Sequence, residues 1–294
     1  MSEEARLPSE TLARRLLWAL QRRMERSRAG RWLFEVLVFA LKQAWACLFG
    51  IVLLAALFVT GQAWPADLPV ARYDFLLGAA LLIQVAMLQF RLETVEEAKV
   101  IFVFHVVGTV MELFKTYAGS WLYPDPGVLR IGAVPLFAGF MYASVGSYIA
   151  RVWRIFDLEF TGYPPAWTTW LLAAGVYVNF FSHHWTIDFR VLLFAATGLL
   201  FWRSWLYFTT DRVQRRIPLL LVFAMVGVMI WVAENLGTYS RVWIYPHQRD
   251  AWHMVSPQKI GSWFLLMIIS FVLVSLVHRP RDKEKAAATE AATA

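Results

Sequence analysis

A chain of 294 residues with 59% hydrophobic content and 15 tryptophans carries more apolar surface than one soluble core of ordinary composition can hide. The formal net charge of +7 does not point to nucleic acid, because the basic residues fall in short blocks between long apolar runs and form no recognition motif. A single cysteine, Cys47, lies inside an apolar run and excludes an internal disulfide, a cysteine-based zinc site and an iron–sulfur cluster.

Lipid is therefore expected to be part of the solvent, and the expected fold is an all-α, polytopic transmembrane helical bundle. The first segment, residues 1–31, is basic and amphipathic: Leu12, Leu16, Leu17, Leu20 and Met24 recur at helical spacing among Arg14, Arg15, Arg22, Arg23 and Arg26. That pattern reads as a helix lying in the membrane interface. The first long apolar run begins after Arg31 without a small-residue cleavage site, so it is expected to remain as a signal anchor.

A hydrocarbon core of roughly 30 Å needs about 20 apolar helical residues. About eight segments approach that length: Val36 to Thr60, Phe75 to Phe90, Val100 to Lys115, Ile131 to Arg151, Trp167 to Phe181, Asp188 to Trp205, Ile217 to Glu234, and Ile260 to Val277. Beyond His278 the chain turns basic and then becomes an Ala/Thr tail, 279–294, with nothing to bury; it is expected to be disordered. Lys and Arg mark cytoplasmic loops, and eight crossings place 20 of the 28 basic residues on one side with both termini. Seven fall on the other side, and Lys42 lies within the first span.

An internal repeat appears at an offset of 122 residues. Glu112, Thr116, Tyr117, Trp121, Tyr123 and Pro124 match Glu234, Thr238, Tyr239, Trp243, Tyr245 and Pro246, six identities in thirteen positions where chance gives about one. Each copy closes a span, the third and the seventh, so both point outward. Two pseudo-symmetric four-span halves in parallel orientation follow, about 32–155 and 165–278 within a bundle covering 32–278.

Each copy offers a carboxylate at the outer end of a helix, then Thr-Tyr, then Trp-x-Tyr-Pro. Aromatic anchoring at headgroup level accounts for the Trp and Tyr. It does not account for a carboxylate near membrane depth, which costs on the order of 2.5–3.5 kcal/mol at a helix centre and so calls for a partner or a task.

His105 lies seven residues before Glu112 on the same helical face, where the plain alternative is a hydrogen-bonded core histidine, and Lys115 lies three after it as an ordinary ion-pair partner. Asn179, His183, His184 and Asp188 fall between the fifth and sixth spans, and His247, Arg249, Asp250 and His253 between the seventh and eighth. No His-x-x-x-His or His-Glu-x-x-His spacing occurs, so no metal ligands are assigned and the cofactor is left open.

The run from Phe102 to Tyr148 includes Phe104-His105, Gly108, Glu112-Leu113-Phe114-Lys115, Gly119-Ser120-Trp121 and Pro135-Leu136-Phe137. With Asn179-Phe180-Phe181-x-His183-His184, Ala233-Glu234-Asn235 and Ser262-Trp263-Phe264-Leu265-Leu266, it resembles a family of bacterial multi-pass membrane proteins without an assigned function, domain of unknown function 817. The likeness runs from Phe39 to His278; it implies the multi-pass fold and a bacterial inner membrane, and supplies no activity. The paired glutamates beside Trp/Tyr-rich loops are also similar in pattern to membrane hydratases and small lycopene cyclases of carotenoid synthesis.

Three functions are consistent with these residues. An intramembrane enzyme would carry out acid–base chemistry on a lipid or isoprenoid. A carboxyl group shut among aromatic rings can hold a proton and donate it, so Glu112 or Glu234 would donate while His183, His184 or Asp188 would receive. His105, Trp121, Tyr123, Trp243, Tyr245 and Arg249 would bind the substrate. A secondary transporter would use the junction of the parallel halves, though few polar groups lie at mid-depth: Gln84, His105 and Ser147. A non-catalytic scaffold or assembly factor would use the amphipathic N-terminal helix and the aromatic loops as contact surfaces. Membrane lipid and a hydrophobic small molecule are the expected partners, nucleic acid is not, and protein partners are left open.

Overall fold

The computed structural model describes residue 24, residues 27–65 and residues 67–283. Of the segment ahead of Arg28 expected to be amphipathic only Met24 and Ser27 are described, and of the 279–294 tail only residues 279–283, where the Arg281 carbonyl accepts from the Phe160 amide at 2.9 Å; the rest lies outside the described residues. Among these, nine α-helices dominate: α1 (Arg28–Ala46), α2 (Leu48–Ala63), α3 (Arg72–Gln89), α4 (Val95–Tyr117), α5 (Ala138–Ile155), α6 (Ala166–Ser182), α7 (Arg190–Phe201), α8 (Leu219–Tyr239) and α9 (Lys259–Val274). Five short strands accompany them: β1 (Arg130–Ile131), β2 (Val134–Pro135), β3 (Glu159–Thr161), β4 (Trp205–Thr209) and β5 (Gln214–Pro218).

Local chemistry sets the helix ends. Thr94 accepts from the Glu97 amide at 3.2 Å while the Glu97 carboxylate accepts from the Thr94 amide at 2.7 Å, a reciprocal cap that opens α4. Pro165 and Pro218 stand immediately before α6 and α8. The helices α4 and α8 close alike, on Gly119 at φ +70° and Arg241 at φ +52°, positions 122 residues apart. In both, the next amide reaches back to a carbonyl in the last turn, Ser120 to Lys115 at 2.9 Å and Val242 to Gly237 at 3.0 Å.

Every apolar run read from the sequence contains a helix, but three differ from expectation. The run from Val36 to Thr60 is not one rod: it breaks at Cys47, and α1 meets α2 at 67°. The polar residues inside the run explain the break, since Lys42 donates to the Thr209 carbonyl at 3.2 Å and Gln43 accepts from Tyr148 at 3.0 Å. Together with the Glu35–Arg215 ion pair at 2.6 Å, they draw α1 onto the strands. In the run from Ile131 to Arg151, the first residues form the β1–β2 pair around Gly132 at φ +56°, so α5 starts only at Ala138.

The third difference is the run from Asp188 to Trp205. Its helix, α7, has 12 residues, about 18 Å at 1.5 Å per residue. From Trp205 the chain is extended, in an antiparallel sheet of order β3-β4-β5 with Glu159 opposite Tyr207 and Thr209 opposite Gln214. An aromatic run such as Trp205-Leu-Tyr-Phe-Thr suits a pleated surface, and the all-α expectation is corrected to a mostly helical fold with two small sheets. Of the described helices, α8 alone is by itself long and apolar enough to cross a bilayer, and the bent α1–α2 pair would make a second.

Packing pairs α4 with α5 and α8 with α9; α2 lies on α3 and α5, and α6 lies on α7 and α9. A shift of 122 residues carries α2, α3, α4 and α5 onto segments overlapping α6, α7, α8 and α9 in order. Phe137, Phe156, Phe160, Phe201 and Phe223 are fully buried in the shared core. Two of the deep polar side chains, Gln84 and Ser147, donate to the buried carboxylate of Glu93, Gln84 at 2.7 Å. Arg151, also buried, donates to the Trp45 carbonyl at 2.6 Å.

Candidate functional site

At the end of the bundle where α4 and α8 finish, the two sequence stretches that match at the 122-residue offset meet. Leu122 and Ile244, equivalent at the 122-residue offset, exchange both backbone hydrogen bonds, at 3.0 and 2.9 Å, as an isolated antiparallel bridge. The first residues of α3 pin this junction. Buried Arg72 donates to the Ser240 carbonyl at 3.0 Å and pairs with Asp125 at 2.9 Å, while the Tyr73 hydroxyl donates to the Val242 carbonyl at 2.7 Å.

Beneath the bridge lie the glutamates, each five residues before its helix end and each buried. Glu112 Oε2 accepts from Trp121 Nε1 at 2.7 Å and the Tyr123 hydroxyl at 2.8 Å, and Oε1 accepts from the Tyr142 hydroxyl at 2.8 Å. Glu234 Oε2 accepts from Trp263 Nε1 at 2.7 Å, and Oε1 from the Tyr245 hydroxyl. An indole N–H can only donate, so it fixes one oxygen of each carboxyl as an acceptor. The other oxygen faces a phenol, which donates or accepts. Each glutamate can therefore carry a proton on Oε1 without losing a hydrogen bond. The Trp121 ring stands edge-on to Tyr245 at 6.0 Å, which ties the two sets together.

Both glutamates line one cavity of about 1010 Å³ that runs between α2, α5, α6, α8 and α9 and is walled mostly by apolar side chains. Trp121, Trp243, Tyr245, His183 and His184, all singled out in the sequence, share its wall. Four other residues singled out there do not. His105 packs against Phe140 at 4.4 Å with Nδ1 buried and unpartnered, so it is neither a cavity group nor the hydrogen-bonded core histidine of the plain reading. Tyr123 acts from behind, through Glu112. Arg249 is exposed at the end of the turn Pro246–Gln248, away from the cavity.

Asp188 is taken up by the α6–α7 turn. Its Oδ1 accepts from Asn179 at 3.1 Å and from the Arg190 amide at 3.0 Å, and its Oδ2 accepts from Arg190 Nε at 2.6 Å. The Arg190 guanidinium holds this carboxyl well below the usual carboxylate range, so Asp188 is a poor proton acceptor. His184 remains, with Nε2 accepting from the Lys115 ammonium at 2.8 Å. Burial, and then that neighbouring charge, push its pKa down, which keeps the ring neutral. Lys115 is thus not the ion-pair partner of Glu112.

Sequence reasoning missed Tyr142, Trp263 and Lys259, which also face the cavity. Tyr142 and Trp263 come from α5 and α9, the helices packed on the glutamate-bearing ones, and no local spacing links them to Glu112 or Glu234. Among the described residues, no group of three or more His, Cys, Asp or Glu side chains is placed to hold a metal ion.

Two solved structures resemble the fold: the mycobacterial Insig homolog MvINS from Mycobacterium vanbaalenii and a cross-linked trimeric variant of it. Each is 15% identical, covers 64% of this chain and 98% of its own, and gives a TM-score of 0.45. In sequence, the chain is 41% identical over 249 residues to the uncharacterized protein YoaT of Bacillus subtilis, covering 85% of this chain and 94% of that one. The family model described as "Protein of unknown function (DUF817)" matches residues 35–271, and with the YoaT likeness this shows that the chain belongs to that family.

Proposed function

We propose that the chain is a multi-pass inner-membrane protein that carries out acid–base chemistry on a lipid or isoprenoid held in the cavity between its two halves. Eight segments would cross the bilayer, seven as the helices α2 to α6, α8 and α9 and one as the 12-residue α7 together with the residues joining it to β4, while α1 would lie along the cytoplasmic surface beside β4 and β5. Support for lipid contact comes from side chains left outside the bundle: Leu82 is 72% exposed, Leu171 66%, Leu199 78% and Met229 65%. Apolar faces of that kind are rare on soluble monomers. The matched helix order, the like endings of α4 and α8, and the Leu122–Ile244 bridge support duplicated halves about an axis through the bridge.

The observation that carries the chemistry is the arrival of both glutamates at one apolar cavity, each fixed by an indole N–H and free to load or unload Oε1 against a phenol. A carboxyl so placed protonates the apolar part of a lipid or isoprenoid, and the second carboxylate, His183 or His184 takes a proton back. A transporter reading lacks comparable support, since Gln84 and Ser147 are taken up by Glu93.

The test replaces Glu112→Gln and Glu234→Gln, singly and together. An amide keeps an acceptor for the indole and offers a donor to the phenol, so the fold should survive with its hydrogen bonds intact. Lipid extracts from cells expressing the wild-type chain should differ by mass spectrometry from those of deletion cells, and the double variant should resemble the deletion. Identical extracts from wild-type and deletion cells would refute the reading.

A further inference from the structure

We infer that the cavity takes a long-chain amphiphile with an anionic head, carboxylate or phosphate, seated between Lys115 and Lys259 and with its tail running towards the β-sheet. The inference deepens the reading of this cavity as a reaction site and rests on that reading for its location.

Two ammonium groups in the cavity wall, those of Lys115 and Lys259, form no ion pair among the described residues. Lys115, in the last turn of α4, is buried; its Nζ contacts neutral His184 at 2.8 Å and lies 4.3 Å from the centroid of the Phe180 ring. Lys259, the first residue of α9, lies with Nζ 4.7 Å from the Tyr245 ring centroid and 5.6 Å from that of Trp121. Neither ammonium is within 4 Å of a carboxylate among the described residues. The nearby carboxylates are engaged: Asp188 with Arg190, Glu112 and Glu234 with tryptophans and tyrosines.

An ammonium taken out of water is costly unless an anion meets it. Cation–π contact with Phe180, Tyr245 and Trp121 returns part of that cost, and His184 takes one N–H of Lys115, but the remaining N–H donors of the two lysines have no acceptor among the described residues. Two ammonium groups in one wall, Lys115 buried on α4 and Lys259 half-buried on α9, suit a group with two or more anionic oxygens. From there the cavity continues past Leu53, Val226 and Met141 to Phe39, Phe208 and Ile217 beside the sheet, a lining without a charged side chain. At about 1010 Å³ it lies at the upper end of small-molecule sites and has room for a chain behind the head. A free anion would leave this length empty, and a neutral lipid would leave the lysines unmet.

The experiment uses the full chain purified in a non-ionic detergent and titrated calorimetrically with dodecyl phosphate, dodecanol and inorganic phosphate. Dodecyl phosphate should bind at least tenfold more tightly than dodecanol, and inorganic phosphate should bind far more weakly than either. Lys115→Gln with Lys259→Gln should abolish the preference for the phosphate head while dodecanol binding persists, which also shows that the cavity is intact. Equal affinity for dodecyl phosphate and dodecanol, or a preference that survives both substitutions, would overturn the anionic head. Inorganic phosphate binding as tightly as dodecyl phosphate would overturn the amphiphile in favour of a free anion. The Glu112→Gln, Glu234→Gln variant should keep the preference; identical lipid extracts from wild-type and deletion cells with the preference intact would sink the acid–base reading alone, and altered extracts without the preference would sink this one alone.

Discussion

Two tyrosines on one carboxylate provide a controlled comparison. Tyr123→Phe and Tyr142→Phe each remove one phenol oxygen and keep the ring. After Tyr123→Phe, Glu112 Oε2 still accepts from Trp121 at 2.7 Å, so the loss is that of one ordinary hydrogen bond, about 0.5–1.5 kcal/mol. After Tyr142→Phe, Oε1 has no partner left in a side chain that is 3% exposed, and an unsatisfied buried acceptor costs about 1–3 kcal/mol, more if charged. Tyr142→Phe should therefore destabilise by roughly 1 kcal/mol more than Tyr123→Phe. Thermal unfolding followed by circular dichroism, all variants in the same detergent, gives the ranking. In a Glu112→Leu background the two substitutions should cost the same, because the difference belongs to the carboxylate. Equal shifts in the wild-type background, or a difference that persists without the carboxylate, would refute the arrangement around Glu112.

The neutral state of His184 gives a pH signature. Its folded pKa lies below the ordinary 6.5, so its contribution to stability is complete above that value and is lost as pH falls through the lowered folded value. In histidine-labelled protein, the His184 resonance should titrate below 6.5 and move upward, without reaching it, in Lys115→Gln, since burial remains; an unmoved midpoint would break the Lys115–His184 contact. Topology is open to cysteine labelling in a Cys47→Ser background. Cysteines replacing Gly127 and Arg249 should react from outside intact spheroplasts, and those replacing Asp157 and Arg212 only after lysis; any other pattern refutes the proposed orientation.

The apolar runs were legible in the sequence because each is long enough to dominate its stretch of chain, and the glutamate–aromatic repeat because six identities survive at one offset. The bend at Cys47 was not, because Lys42 and Gln43 find partners on Thr209 and Tyr148, more than a hundred residues away. The β4–β5 hairpin was hidden because an aromatic strand reads like the tail of an apolar helix. Glu112, Glu234, His183 and His184, singled out through their residue types, line one cavity. Asp188 was misread because a carboxylate two residues before an arginine looks available in sequence and is closed in three dimensions. Tyr142 and Trp263 could be found only by knowing that α5 packs on α4 and α9 on α8.

The two copies are alike in their glutamates and unlike in their tryptophans, and one residue accounts for the difference. At the 122-residue offset Lys115 corresponds to Gly237. In the first copy Trp121 turns to Glu112. In the second, Trp243 lies over Gly237, where a Cβ would come within 2.3 Å of its Cη2 and 2.5 Å of its Cζ3, and Trp263 of α9 serves Glu234 instead. The missing side chain thus makes room for one ring and leaves the Glu234 oxygen to the other. Gly237→Ala should force Trp243 aside at a cost of about 1–3 kcal/mol, the range for overpacking. Gly198→Ala, in a helix with open space around the added methyl, should instead be neutral or stabilise by up to about 1 kcal/mol. Gly237→Ala should also lower dodecanol affinity, since Trp243 lines the cavity. Thermal unfolding of the pair in one detergent decides it: if both alanines are equally benign, the glycine does not seat the tryptophan, and the difference between the two glutamate sites has another cause.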